Sequence, residues 1–210
     1  NKVARAVNGP VHMALRRKVQ HRAGLVGCQQ LCHQSRVAKI TMHKHVARIT
    51  DLQRLLLQHF ALPHGRAWVT TVDGIVQSVA VWFDNAVPVP AEVGRTWAPV
   101  FAQLEGDRHE ASDAAEAEIH GWRPTDRHLY LATMGTVPEH QGTGLGTRSL
   151  QPGIELADRE QLVACLETSS RSNVEFYSRL GFGCISHWRI ADGAGPDLWL
   201  MVRPPVAAPG

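Results

Sequence analysis

Three glycines on alternate positions stand in the run Gln141-Gly142-Thr143-Gly144-Leu145-Gly146. A diphosphate carries concentrated negative charge, and main-chain N–H groups at a helix start bind it with help from the helix dipole. Glycine suits such a loop because no Cβ keeps the backbone at a distance. A glycine-rich turn with no ligand has the same spacing, so the loop alone leaves both readings open. Two nucleotide folds do not fit. A P-loop needs a lysine followed by Ser or Thr after its last glycine, and Gly146 is followed by Thr147-Arg148. A dinucleotide fold wants GxGxxG after a first strand, and this loop reads GxGxG late in the chain. Glu167 also stands out, because it ends an apolar strand. It either faces a cleft, where it could accept a proton, or pairs with a nearby arginine. Cys28, Cys32 and His33, with His43 and His45 nearby, lack a CxxC pair and a second matching half, so no metal is expected.

The elements around the loop follow from periodicity. Residues 43–60 place Val46, Ile49, Leu52, Leu56 and Phe60 along one helical stripe, and a turn follows at Leu62-Pro63-His64-Gly65. Residues 67–72 and 75–83 read as strands joined by Asp73-Gly74, a pair suited to the positive φ angles of a tight hairpin. Two helical patterns follow, the second with an acidic run over residues 110–119. Residues 129–137 read as a buried strand that Pro138 ends. A helix with Leu150, Ile154 and Ala157 on its stripe follows the glycine loop, and Pro152-Gly153 is expected to kink it or interrupt its ladder. A strand over residues 162–166, a helix over 173–180 stopped by Gly181, and a last hairpin over 183–190 and 198–203 complete the order. Alternating strands and helices in the second half predict a mixed, mostly antiparallel α/β (α+β) sheet with a central parallel pair and helices on both faces.

Charge is divided sharply along the chain. Residues 1–50 hold 10 of the 22 Lys and Arg and no acid, whereas residues 51–210 hold 12 basic against 19 acidic residues, a net −7. The basic segment mixes its Arg and Lys with apolar residues in no clear period and carries no nucleic-acid motif, so nucleic acid is not the expected partner. No apolar run is long enough to span a bilayer and no leader-like layout opens the chain, which together predict a cytoplasmic protein. Four cysteines, Cys28, Cys32, Cys165 and Cys184, are too few for a disulfide framework.

The run Val137-Pro138-Glu139-His140-Gln141-Gly142-Thr143-Gly144-Leu145-Gly146 resembles the acetyl-CoA motif Q/R-x-x-G-x-G/A of GNAT N-acetyltransferases. Asn173-Val174-Glu175-Phe176-Tyr177-Ser178-Arg179-Leu180-Gly181-Phe182 resembles the second signature of that superfamily at the expected distance. Within it, the similarity is greatest to the puromycin N-acetyltransferase family and its actinobacterial relatives. That similarity rests on residues 45–53, Trp68-Val69, residues 79–82, Ala132-Thr133, Pro152-Gly153 and residues 166–169. It covers residues 43–203, leaving a divergent basic segment at 1–42 and a loose tail at 204–210. The resemblance implies a GNAT fold splayed around acetyl-CoA as cosubstrate, without a metal. It implies a primary amine of a small molecule, such as an antibiotic, as acceptor; the sequence leaves the oligomeric state open, a homodimer being one option. It places the coenzyme against Met134, Thr136, Val137, Gln141, Gly142, Thr143, Gly144, Leu145, Gly146, Thr147, Asn173 and Tyr177. Main-chain groups of residues 134–137 would hold the acetyl carbonyl and the pantetheine arm. Tyr177 would be the acid that protonates the departing thiolate, unless it merely packs beside Phe176, and Glu167 is the candidate general base. Trp82, Trp97 and Trp122 would either line an aromatic acceptor pocket or fill the core. A non-catalytic acyl-CoA-binding or regulatory module is the alternative.

Overall fold

A computed structural model describes the backbone of residues 2–4, 39–189 and 195–207. Its strands are β1 (Lys2–Ala4), β2 (Arg66–Val72), β3 (Ile75–Asp84), β4 (His128–Thr136), β5 (Val163–Thr168), β6 (Gly183–Arg189) and β7 (Asp197–Arg203). They form a 7-stranded sheet in the order β1-β2-β3-β4-β5-β7-β6. Only β4 and β5 run parallel; the other pairs are antiparallel. This is the mixed sheet with a central parallel pair that the sequence predicts, and it has the GNAT fold. The β2–β3 hairpin turns at Asp73 and Gly74 with φ of 51° and 74°, the positive pair its turn type demands.

The helices are α1 (Lys39–Leu56), α2 (Ala91–Glu105), α3 (His109–Trp122), α4 (Leu145–Arg159) and α5 (Arg171–Ser178). The first runs longer than residues 43–60. It continues through a π-helical turn, Leu57–Ala61, and a last turn, Leu62–His64, in which Pro63 sits at the start, where its missing N–H is harmless. The chain turns only at Gly65, where a Cβ would lie 2.8 Å from the Ala61 carbonyl oxygen and 2.9 Å from that of Trp82.

Two apolar layers flank the sheet. On one face α4 presents the buried row Leu145, Ser149, Leu150, Gly153, Ile154, Leu156 and Ala157. This row packs with Trp82, Leu131, Leu166, Tyr177, Phe182 and Met201. The helix runs through Pro152 without a break, so α4 is continuous from Leu145 to Arg159. Proline removes one ladder donor, but the buried row holds the helix on both sides of it. Gly153 has a packing reason: a Cβ there would meet the Trp82 indole at 2.4 Å. On the other face Leu57, Ala61 and Leu62 cover Ala67, Val69, Val79 and Val81.

Parallel pairing fixes where the sheet opens. β4 and β5 pair only at His128↔Val163, Leu129↔Ala164 and Tyr130↔Cys165. Beyond these, residues 131–136 and 166–168 have no partner in each other, and the strands form a wedge. A register shift against β3 leaves Ala132 unmatched between Leu131, opposite Trp82, and Thr133, opposite Val81. Such a bulge bends a strand and re-aims its main-chain groups.

Candidate active site

The glycine loop sits at the mouth of this wedge, between β4 and α4. Gly142 and Gly144 have φ of 75° and 82°, and a Cβ on either would meet nothing within 4 Å, so both present bare backbone to open space. Gly144 is the N-cap of α4 and has no side-chain cap, so the first N–H groups of the helix are left for a ligand. Gly146 is needed for a different reason, since a Cβ there would lie 2.5 Å from the Met134 methyl and 3.1 Å from Thr136 Oγ1. A chain of buried hydroxyls holds the loop. Ser78 Oγ is 2.9 Å from both Thr136 Oγ1 and Ser149 Oγ, and Ser149 donates to the Gly146 carbonyl at 2.9 Å. Thr70 donates to the Leu145 carbonyl at 3.3 Å. Strands β2, β3 and β4 are thereby tied to the first turn of α4.

A cleft of about 740 Å³ opens beside the loop. Met134, Thr136, Gln141, Gly142, Gly144, Gly146, Thr147 and Asn173 line it, as the resemblance implies. Four residues of the same set lie outside the lining: Val137, Thr143, Leu145 and Tyr177. Val137 packs against the β2–β3 layer and donates its N–H to the Gln77 carbonyl. Thr143 turns its hydroxyl to the His140 carbonyl at 2.6 Å, and Leu145 is buried. The lining also includes Pro138, His140, Ser170, Ser172, Phe176 and Arg179, which the sequence reading did not name. Arg179 was within reach of that reading, because it lies inside the second signature and could supply a positive charge to an anionic ligand. Asn173 Nδ2 donates to Thr168 Oγ1 at 3.1 Å and joins the start of α5 to the end of β5.

Tyr177 lies behind this lining, 5% exposed, between the edges of Phe176 and Phe182. Its position is set by the end of α5. Gly181 at φ 88° and the bonds Gly181 N–H to Ser178 and Phe182 N–H to Tyr177 form a Schellman closure, with the expected apolar contact of Phe182 on Tyr177. The Tyr177 hydroxyl donates to Met134 Sδ at 3.6 Å, and burial holds its pKa well above the ordinary phenol value. The hydroxyl is thus protonated and aimed at the inner wall of the wedge.

Glu167 lies on the opposite face of β5 from Ala164 and Leu166, with its side chain 8% exposed. Arg123, just past the end of α3, donates from Nε to Glu167 Oε1 at 2.7 Å and from Nη2 to Oε2 at 3.3 Å. The same guanidinium donates to the Tyr130 hydroxyl at 2.9 Å, lies 4.1 Å over the Tyr130 ring, and reaches Glu116 at 3.2 Å. Of the two readings weighed for Glu167, the structure shows the arginine partner, and Glu167 is not among the residues that line the cleft. The Tyr130 hydroxyl bonds the same carboxylate, and three partners leave room for one more bond on its oxygens. Burial pushes the neighbouring Cys165 thiol up to about 12, which makes it a poor nucleophile.

The three tryptophans separate. Trp82 is wholly buried under α4, Trp97 stacks on His59 at 3.7 Å, and Trp122, 51% exposed, stacks on Trp188 at 5.2 Å. Cys28, Cys32 and His33, residues 190–194 of the last hairpin and the last residues of the tail lie outside the described residues. Among the described residues, ligand atoms of Glu105, His109 and Asp113 gather within 4.8 Å of one another. The two ring nitrogens of His109 face the two carboxylates, at 2.6 Å and 3.5 Å, so the histidine already bridges them. No helix among the described residues is long and apolar enough to cross a membrane.

Residues 101–182 match the model of the acetyltransferase (GNAT) family. The N-alpha-acetyltransferase 30 of Schizosaccharomyces pombe is 27% identical over 85 residues, 39% of this chain and 55% of that protein. The chain thus spans about half the length of the curated relative it matches. Among solved structures, a protein described as histone acetyltransferase HPA2 and related acetyltransferase, from Corynebacterium glutamicum, is similar at a TM-score of 0.63 and 21% identity. That match covers 99% of this chain and 100% of the other. A putative acetyltransferase of the GNAT family from Desulfovibrio desulfuricans is similar at a TM-score of 0.53 and 16% identity, covering 97% and 99%. The segment that matches the family model holds both signatures, and the solved neighbours share the fold.

Proposed function

We propose that the protein is an N-acetyltransferase that moves an acetyl group from acetyl-CoA to a primary amine of a small molecule. The observation that carries this reading is the uncapped, side-chain-free start of α4 at the mouth of a wedge whose inner wall receives the Tyr177 hydroxyl. Gly142, Gly144 and the first N–H groups of α4 hold the diphosphate, with Gln141 and Thr147 beside them. Met134 and Thr136 offer the main-chain edge of β4 to the pantetheine arm, and Asn173 bounds it from α5; Val137 has its N–H on the Gln77 carbonyl and its carbonyl on the His140 N–H, and serves by holding the end of β4. Thr143 and Leu145 serve through their backbone, since their side chains are engaged elsewhere. When bound, acetyl-CoA supplies an activated acyl group.

Transfer then needs a neutral amine, a stabilised carbonyl oxygen and a proton for the thiolate. Glu167 accepts the amine proton, directly or through water. Main-chain N–H groups next to the Ala132 bulge face the carbonyl oxygen. Tyr177 keeps its proton at neutral pH and gives it to the departing sulfur once its hydroxyl turns toward the cleft from Met134 Sδ, the acceptor it holds at 3.6 Å. Direct attack by the amine suits a site whose neighbouring thiol, Cys165, is held protonated.

A puromycin-like acceptor, a role in antibiotic resistance and a cytoplasmic homodimer belong to the same reading. The acceptor and the resistance role rest on the likeness of residues 43–203 to the puromycin N-acetyltransferase family, and the location on the lack of a bilayer-spanning helix among the described residues; the exposed Trp122 offers such an acceptor an aromatic surface. Thiol release from acetyl-CoA with puromycin, benzylamine, spermidine and a dipeptide as acceptors tests the proposal. Turnover with at least one amine is expected. Intact coenzyme binding without turnover on any of them would favour a non-catalytic acyl-CoA-binding module.

A further inference from the structure

Arg123 comes from outside both signatures, yet it touches both walls of the wedge. Tyr130 is the last β4 residue paired with β5, and Glu167 lies two residues beyond the last paired β5 residue, Cys165. Arg123 bonds both, at 2.9 Å and 2.7 Å, while its third arm returns to Glu116 of α3, the helix it follows. Its side chain is 14% exposed, and the ring of Tyr130 supports the guanidinium plane at 4.1 Å. The planar fork is held on several sides at the point where interstrand pairing stops.

Resting on the reading of Glu167 as base, we propose that Arg123 is a positioning residue: it straps the apex of the β4–β5 wedge and fixes the Glu167 carboxylate in the orientation from which it takes the acceptor's proton. A glutamate at a strand end has several rotamers, and only some of them present an oxygen to the wedge. The two bonds from Arg123, with the Tyr130 hydroxyl as a further partner, select one rotamer, and a carboxylate so held has room for one more donor. Lysine is no equivalent here, because a single ammonium cannot engage Glu167 and Tyr130 with one planar fork.

The test compares wild type with R123Q, R123K, E167Q and R123Q/E167Q, using whichever amine of the panel gives fastest turnover. R123Q is expected to lower kcat about 10–100-fold, the order of effect of a misplaced reacting group. The KM for acetyl-CoA should stay unchanged, since the coenzyme cleft lies on other residues. R123K should recover part of the rate, and the double variant should be no slower than E167Q alone. Wild-type kcat in R123Q or in E167Q, or losses that multiply in the double variant, would overturn the inference. Should R123Q fail to fold, R123K carries the test: a several-fold drop in kcat at wild-type KM for acetyl-CoA supports the strap, and wild-type kcat overturns it. Absence of turnover by the wild type with every amine rejects the acetyltransferase reading, and this inference with it. Turnover that ignores Arg123 rejects this inference alone.

Discussion

Tyr177 is acidic chemistry in an apolar setting. Its hydroxyl has a sulfur as partner at 3.6 Å, and burial keeps it protonated. A phenol in that state serves as a proton donor across the neutral range and not as a base. Tyr177→Phe keeps the ring and its edge contacts with Phe176 and Phe182, so the variant should fold and bind coenzyme as the wild type does. Its kcat should fall by about 10²-fold or more, the scale of a general acid. Steady-state kinetics alongside calorimetry separates the two effects, and an unchanged kcat would reduce Tyr177 to a packing residue. At this scale the sequence was informative about Tyr177 and the glycines because each sits in a short local motif. It said little about Arg123, whose partners Glu167 and Glu116 are 44 and 7 residues away. Nothing in the local pattern after an acidic helix reveals which arginine folds back onto the sheet.

The junction of α1, α2 and α3 is held by charge. Arg48 of α1 donates to the carbonyls of Leu104 and Glu105 at the end of α2, and Glu105 in turn bonds His109 and Ser112 of α3. The hydrogen bond to Glu105, with Asp113 nearby, holds the His109 pKa above its ordinary 6.5. A raised folded-state value means that the folded protein favours the imidazolium. Its contribution is therefore fully present below 6.5 and fades as pH rises through the elevated value. Thermal midpoints of wild type and His109→Gln should differ most near pH ~6 and converge near pH ~9. A constant difference across that range would assign His109 a packing role. Elements with local signals were legible in the sequence: the Asp73-Gly74 turn, the Gly181 helix end, and the strand before Pro138. Those set by tertiary context were not. The Pro152-Gly153 pair reads as a break, yet Gly153 is where the Trp82 indole seats against α4, and that contact is invisible without the sheet. The bulge at Ala132 and the short strand Lys2–Ala4 likewise depend on partners distant in sequence.

At the scale of the molecule, the sheet is two antiparallel blocks joined by three parallel residue pairs. A ligand lying in the wedge would touch both blocks and bind only the folded state. Coenzyme A at 100 times its dissociation constant should then add about 2.7 kcal/mol to stability. For a chain of this size that is a rise in thermal midpoint of about 5–10 °C. A melting curve that ignores saturating coenzyme A would remove the cleft as its binding place. The open seam has one more consequence. The facing groups of residues 131–136 and 166–168 share no ladder, so prising the blocks apart there breaks no interstrand bond between them, while sliding either block across its own ladder breaks many. The protein is compliant along the single direction in which a long, thin molecule must thread in and withdraw, and stiff in every other.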